Sequence, residues 1–197
     1  MRRTEPAGDR ECGQPLPLPA DIAAAQGRTD RPDHRHHQGS RGVIHASAVI
    51  AAGAQLGKDV RIGPYAVIEE GVVIGDNCSV AAHAVIKRGT RMGRDNKVYE
   101  HAVIGGDPQD FKFDPDCESL TEIGDGCSFR EGVTIHRGSH AGSATRVGSG
   151  CFLMAYAHIA HDCTVGNHVV MANTAGIAGH VTVADRAFIS AAVTVHQ

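Results

Sequence analysis

The chain has no tryptophan and only 4% aromatic residues among its 197, so any core it builds is aliphatic. It has no apolar run approaching the ~20 residues that a membrane-crossing helix needs, which excludes an integral membrane segment of that kind. Neither sign of charge dominates, with 19 Lys and Arg against 22 Asp and Glu and a net charge of −3. With no strong basic patch, nucleic acid is not an expected partner. The six cysteines contain no close CxxC pair, which argues against a disulfide framework. Cys78, Cys127, Cys151 and Cys163 read instead as reduced core filler. No apolar leader segment is present, and a cytoplasmic protein is expected.

A six-residue beat is what the sequence does contain. Large aliphatics recur at Ile44, Ile50, Leu56, Ile62, Ile68, Ile74, Val80, Ile86, Met92, Val98 and Ile104, then at Ile123, Phe129 and Ile135, then from Val147 to Val195. Neither a helix nor a simple strand has that period. Four residues after each aliphatic stands a small or β-branched residue, such as Ala48, Val60, Cys78, Ala84, Cys127, Ala157 or Ala175. Two inward positions per hexad, one large and one small, suit short strands joined by tight corners around a narrow core. Glycine often follows the aliphatic, at Gly57, Gly63, Gly75, Gly93, Gly105, Gly124, Gly148 and Gly166, and these positions are expected to need unusual backbone angles. The array predicts an all-β solenoid over residues 42–197.

Residues 1–41 lack the beat. Seven Arg stand there against six acidic residues, with a short cluster of His34, His36 and His37. This segment reads as a disordered extension or a misassigned start.

Function is sought where the beat breaks and where chemically able residues stack. One break runs from Gly105 to Glu122 and a second from His136 to Arg146; both are expected to leave the wall as loops. With three hexads per turn, residues eighteen apart lie one above another. His161 is then followed by Gly179 and Gln197, and Asp162 lies under His180. A histidine, a neighbouring carboxylate and a bare glycine backbone one coil up form a constellation suited to acyl transfer. Histidine is the usual general base near neutral pH, and glycine lets a substrate approach a backbone N–H that can hold an oxyanion.

The runs GDPQDFKF (106–113), REGVTIHRG (130–138), LMAYAHIAHDCTVGN (153–167), AGHVTV (178–183) and VHQ (195–197) carry a more specific likeness. They resemble the hexapeptide-repeat family of acyl-carrier-protein-dependent UDP-N-acetylglucosamine O-acyltransferases of lipid A biosynthesis, from Ile44 to the end. The resemblance implies a left-handed parallel β-helix of eighteen-residue turns, a handedness that periodicity alone does not supply. It implies transfer of a 3-hydroxyacyl chain from acyl carrier protein to the sugar 3-hydroxyl, the first step of lipid A biosynthesis. Implied roles are His161 as general base, Asp162 as the group that orients it, and Gly179 as oxyanion donor. Substrate contacts are implied for Gln109, Asp110, Lys112, His136, His158, His180, His196 and Gln197. The partners implied are acyl carrier protein, UDP-N-acetylglucosamine and two further copies in a homotrimer, with no cofactor and no metal.

The family continues past the position of Gln197 with further coils and a C-terminal helical domain, so the likeness implies a C-terminally truncated β-helix and leaves an inactive fragment as the alternative. Other hexapeptide-repeat proteins stay open. A γ-carbonic-anhydrase-like zinc enzyme is disfavoured because His158 and His161 are three apart, whereas that family's pair is five apart. The related N-acyltransferase of the same pathway shares the repeat and base histidine, but the QDFK loop and VTIHRG favour the O-acyltransferase. A purely structural solenoid would need neither HIAHDC nor that loop.

Overall fold

The computed structural model describes residues 42–197; the expected extension 1–41 lies outside the described residues. The chain winds into a left-handed parallel β-helix, and among the described residues there is no helix. Three parallel sheets form the faces of a triangular prism. The first runs from Val49–Ile50 to Thr194–Val195 with eight strands, the second from Gln55–Leu56 to Thr182–Val183 with seven, the third from Arg61–Ile62 to Phe188–Ile189 with seven. Most strands are two residues long, one outward and one inward, because six residues must make a strand and a corner.

Register follows the beat. Val49 pairs with Val67 and Ile50 with Ile68, a step of eighteen. The inward residues stack into a continuous aliphatic rod in which Ile68, Ile86, Ile104, Ile135, Ile159 and Ile177 are all at most 1% exposed. Each such side chain contributes about 1.5–3 kcal/mol by leaving water. The buried cysteines donate to carbonyl oxygens of neighbouring coils, Cys127 to Gly148 at 3.1 Å and Cys163 to Ala178 at 3.0 Å. They are small hydrophobes of the core, and burial pushes the Cys78 and Cys163 thiols up.

The corners correct one expectation. Of the glycines that follow the aliphatic beat, only Gly105 adopts a positive φ, of 81°. The rest are needed for clearance: a Cβ on Gly75 would stand 2.6 Å from the carbonyl carbon of Gly93, and one on Gly148 2.7 Å from that of Gly166. The left-handed corner conformation falls later in the hexad, where thirteen non-glycine residues among those described have φ between 55° and 62°. Asp59, Asn77, Asp95, Asp162 and His180 are among them, and short polar side chains tolerate that region best.

Both breaks do leave the wall, within narrower bounds than the sequence suggests. Gly105 and Gly106 still belong to strand Val103–Gly106, and pairing resumes at Leu120–Ile123, so the first loop is 107–119. The second spans 137–143, because His136 ends strand Thr134–His136 and Ala144 begins the next. Register shows the insertions directly: Val103 pairs with Thr134, a step of 31, and Thr134 with His158, a step of 24. The polar ends are kept in the sheets because their N–H and C=O groups find ladder partners there.

Candidate active site

Strand His158–Ile159 ends in a corner turn at His161 and Asp162. One coil up, strand Gly176–Ile177 ends in the equivalent turn at Gly179 and His180. The His180 N–H donates to the His161 carbonyl at 3.0 Å, which sets one corner over the other. Asp162 has a φ of 57°, and its carboxylate turns back to accept from His161 Nδ1 at 2.9 Å. The Ser139 N–H of the second loop donates to both carboxylate oxygens at 3.2 Å. Burial alone would raise this carboxyl, but hydrogen bonds from Ser139, His161 and Ser143 outweigh it and hold Asp162 at about 2. Asp162 is therefore a carboxylate at neutral pH and can only accept. His161 Nδ1 must carry the proton, which leaves the Nε2 lone pair open.

Gly179 stands against that open edge. A Cβ there would lie 2.6 Å from His161 Cε1 and 2.7 Å from Nε2, so the bare backbone is what lets the imidazole occupy its place. Among the described residues no group accepts the Gly179 N–H, whereas the neighbouring Ala178 N–H donates to Val195. A general base with its second nitrogen oriented, beside an unspent backbone donor, can take a proton from a hydroxyl and stabilise the oxyanion formed on the carbonyl that the hydroxyl oxygen attacks.

A second pair of histidines lies on the adjoining face. His158 Nδ1 meets Thr134 Oγ1 at 2.8 Å, and its ring stands edge-on to His136 with centroids 4.7 Å apart. Burial pushes both down; His136 falls to about 4, with the neighbouring His158 and His161 adding to the effect. His136 is 7% exposed, and its Nδ1 has no hydrogen-bond partner among the described residues. His180 is half exposed, its ring edge-on to His161 at 5.1 Å and its Nε2 3.8 Å from Asp162 Oδ2.

The loop residues stand apart from this cluster. Gln109, Asp110 and Lys112 are exposed on the first loop, where Asp110 Oδ1 accepts the Lys112 N–H at 2.9 Å and shapes a tight turn. His196 and Gln197 are exposed at the top of the column that contains Ala178 and Gly179. What fixes the first loop is Arg137, which lies in the VTIHRG run but has no role assigned to it by the sequence. It is 2% exposed. Its guanidinium donates to Asp107 at 3.0 Å, to the Cys117 carbonyl at 2.7 Å and to the Pro115 carbonyl at 2.9 Å, and lies over the Phe113 ring at 4.9 Å. Asp107 is thus one anchor of the loop.

Of the described residues, His161, Asp162 and His180 place possible metal-ligand atoms within 4.8 Å of one another. No helix among the described residues is long and apolar enough to cross a membrane.

Comparison with known proteins agrees with the fold. Residues 53–88 and 144–179 match the bacterial transferase hexapeptide (six repeats). An acyl-[acyl-carrier-protein]–UDP-N-acetylglucosamine O-acyltransferase from Trichlorobacter lovleyi is 56% identical over 131 residues, 66% of this chain and 50% of that protein. The enzyme of the same name from Bartonella tribocorum is 51% identical over 131 residues, covering 66% and 48%. A UDP-N-acetylglucosamine acyltransferase structure from Bacteroides fragilis superposes with a TM-score of 0.76 at 42% identity, over 79% of this chain and 60% of that one. The LpxA structure from Acinetobacter baumannii gives 0.76 at 39%, over 78% and 60%. The chain spans about half the length of the curated relatives it matches.

Proposed function

We propose that this chain, which belongs to the hexapeptide-repeat acyltransferases, moves a 3-hydroxyacyl group from acyl carrier protein to the 3-hydroxyl of UDP-N-acetylglucosamine, the first step of lipid A biosynthesis. The observation that carries the proposal is the 2.9 Å contact between His161 Nδ1 and Asp162, with the open edge of the ring against Gly179. His161 Nε2 takes the hydroxyl proton as the oxygen attacks the thioester carbonyl. The Gly179 N–H donates to the oxyanion of the tetrahedral intermediate. Collapse breaks the carbon–sulfur bond, and the imidazolium returns its proton to the departing pantetheine thiolate. Asp162 holds the tautomer and stabilises the transient imidazolium.

Gln109, Asp110 and Lys112 on the Arg137-anchored loop, with His136, His158, His180, His196 and Gln197 along the coils, serve as the substrate contacts. The donor arrives on the phosphopantetheine of its carrier, and the enzyme needs no further cofactor. The working unit is a cytoplasmic homotrimer. Support for assembly comes from the outward positions of the first face, where Val49, Val67, Val85 and Val103 form an apolar stripe that continues through Thr134 to His158. The other faces carry Arg61, Lys97, Arg91, Glu122 and Arg146 at such positions, with a shorter apolar run of Phe152, Val170 and Phe188 on the third.

Incubation with 3-hydroxyacyl carrier protein and UDP-N-acetylglucosamine, followed by mass spectrometry, tests the reaction. The expected product is the 3-O-acyl nucleotide sugar. Acylation only of the later, deacetylated glucosamine lipid on nitrogen would overturn the assignment in favour of the related N-acyltransferase.

A further inference from the structure

The geometry points to a second use of the same corner: His161, Asp162 and His180 form a binding site for a divalent borderline metal ion such as Zn²⁺, and occupancy of that site switches the base off. Their possible ligand atoms all lie within 4.8 Å of one another. His161 Nδ1 is 2.9 Å and His180 Nε2 3.8 Å from Asp162 Oδ2. Zinc bound tetrahedrally at about 2.0–2.2 Å keeps its ligand atoms roughly 3.3 Å apart, so small side-chain rotations convert one arrangement to the other. The donor set, two imidazoles and one carboxylate, suits Zn²⁺, Co²⁺ or Ni²⁺ better than the hard cations Mg²⁺ and Ca²⁺, which prefer oxygen.

The elements around the site favour occupancy. Asp162 is 8% exposed, and the Ser139 N–H holds its carboxylate from the far side. The half-exposed His180 provides the entry path. The chemical consequence follows from the tautomer. A metal on His161 Nδ1 takes the place of the proton shared with Asp162, and that proton moves to Nε2, the atom that must accept from substrate. The imidazole stays neutral yet has no lone pair left for catalysis. The switching rests on His161 acting as the base; metal binding itself does not.

The test uses the full chain carrying His34→Gln, His36→Gln and His37→Gln, so that the N-terminal cluster adds no second site. Titration with Co²⁺, read by its visible absorption, is expected to saturate at one ion per chain with the intense bands of a low-coordinate site, and Zn²⁺ to displace it. Asp162→Asn and His180→Asn each weaken binding at least tenfold; asparagine suits the left-handed φ of both positions. Binding that is unchanged in both variants, or no saturable binding, overturns the site. In parallel, saturating Zn²⁺ should abolish acyl transfer and a chelator restore it; transfer undiminished with the site occupied overturns the switch. Binding lost in the variants with no transfer by any form would leave the metal site standing and remove the acyltransferase reading instead.

Discussion

Two corners of this prism use acidic residues for different ends. At one corner, Asp76 accepts the Lys58 N–H at 2.7 Å, Asp125 the Arg94 N–H at 2.9 Å and Asp185 the Asn167 N–H at 2.7 Å, each reaching one coil down. These carboxylates satisfy turn amides that have no strand partner, and hydrogen bonds from the Asn167 backbone and side chain hold Asp185 low. At the other corner Asp162 also takes a backbone amide, that of Ser139, but its second partner is an imidazole. Asp162 stands one place later in its turn than Asp76, Asp125 and Asp185 do in theirs, in the left-handed position, with an imidazole before it and a bare glycine on the coil above. The chemistry is placed where an inserted loop covers the carboxylate.

The comparison breaks most decisively at His161. His161→Ala is expected to lower acyl transfer by at least about 100-fold while leaving the fold intact, as loss of a general base does; steady-state rates with matched melting curves check it. Gly179→Ala comes next. Its new Cβ would fall 2.6 Å from His161 Cε1, so the ring must tilt, and a rate loss of roughly 10- to 100-fold follows from misplacing a catalytic group by that much. Arg137→Met should act through the loop, raising KM for the nucleotide sugar more than it lowers kcat. Asp107 and the Cys117 and Pro115 carbonyls lose their donor, at about 1–2 kcal/mol of stability, and limited proteolysis within 107–119 should accelerate.

Acid sharpens the same contrast. His136, depressed to about 4 in the fold against ~6.5 for an ordinary imidazole, binds its proton more readily unfolded. The stability it contributes is complete above that ordinary value and is lost as pH falls through about 4, a loss of about 3 kcal/mol. Asp162 adds a further loss between ~3.9 and its folded value of about 2, worth ~2 kcal/mol. Thermal unfolding followed from pH 7 to 3 should therefore fall less steeply in His136→Gln than in the parent. The smallest effect belongs to the structural corner: Asp185→Asn should leave the transfer rate unchanged, and a rate drop comparable to that of Asp162→Asn would erase the distinction between the corners.

How much of this was legible in the sequence depends on whether the cause is local. The inward rod follows from the hexad beat because each aliphatic stacks on its equivalent one coil away, and the stack of Asp162 under His180 follows from the same arithmetic. The reason for the glycines after the beat was not legible: Gly75 and Gly148 are cleared by backbone one coil up, a contact that no window of neighbouring residues reveals. Arg137 is hidden for the same reason. Its partners Asp107, Pro115 and Cys117 lie 20 to 30 residues upstream in a loop without periodicity. Asn96 also escaped notice. It occupies a small inward position, fully buried, and donates to the Gly93 and Gly124 carbonyls at 2.9 Å while accepting the Cys127 N–H at 2.8 Å. A polar residue in the small inward slot of a hexad is the signal that marks it.

The most direct test of the account is the tautomer of His161, measured by long-range nitrogen–proton NMR on chain labelled at histidine, in the parent and in Asp162→Asn. The account predicts a neutral ring protonated at Nδ1 with a bare Nε2 in the parent, and loss of that preference in the variant. A parent ring protonated at Nε2, or one indifferent to Asp162, would contradict the claim that this corner is built to hold a base.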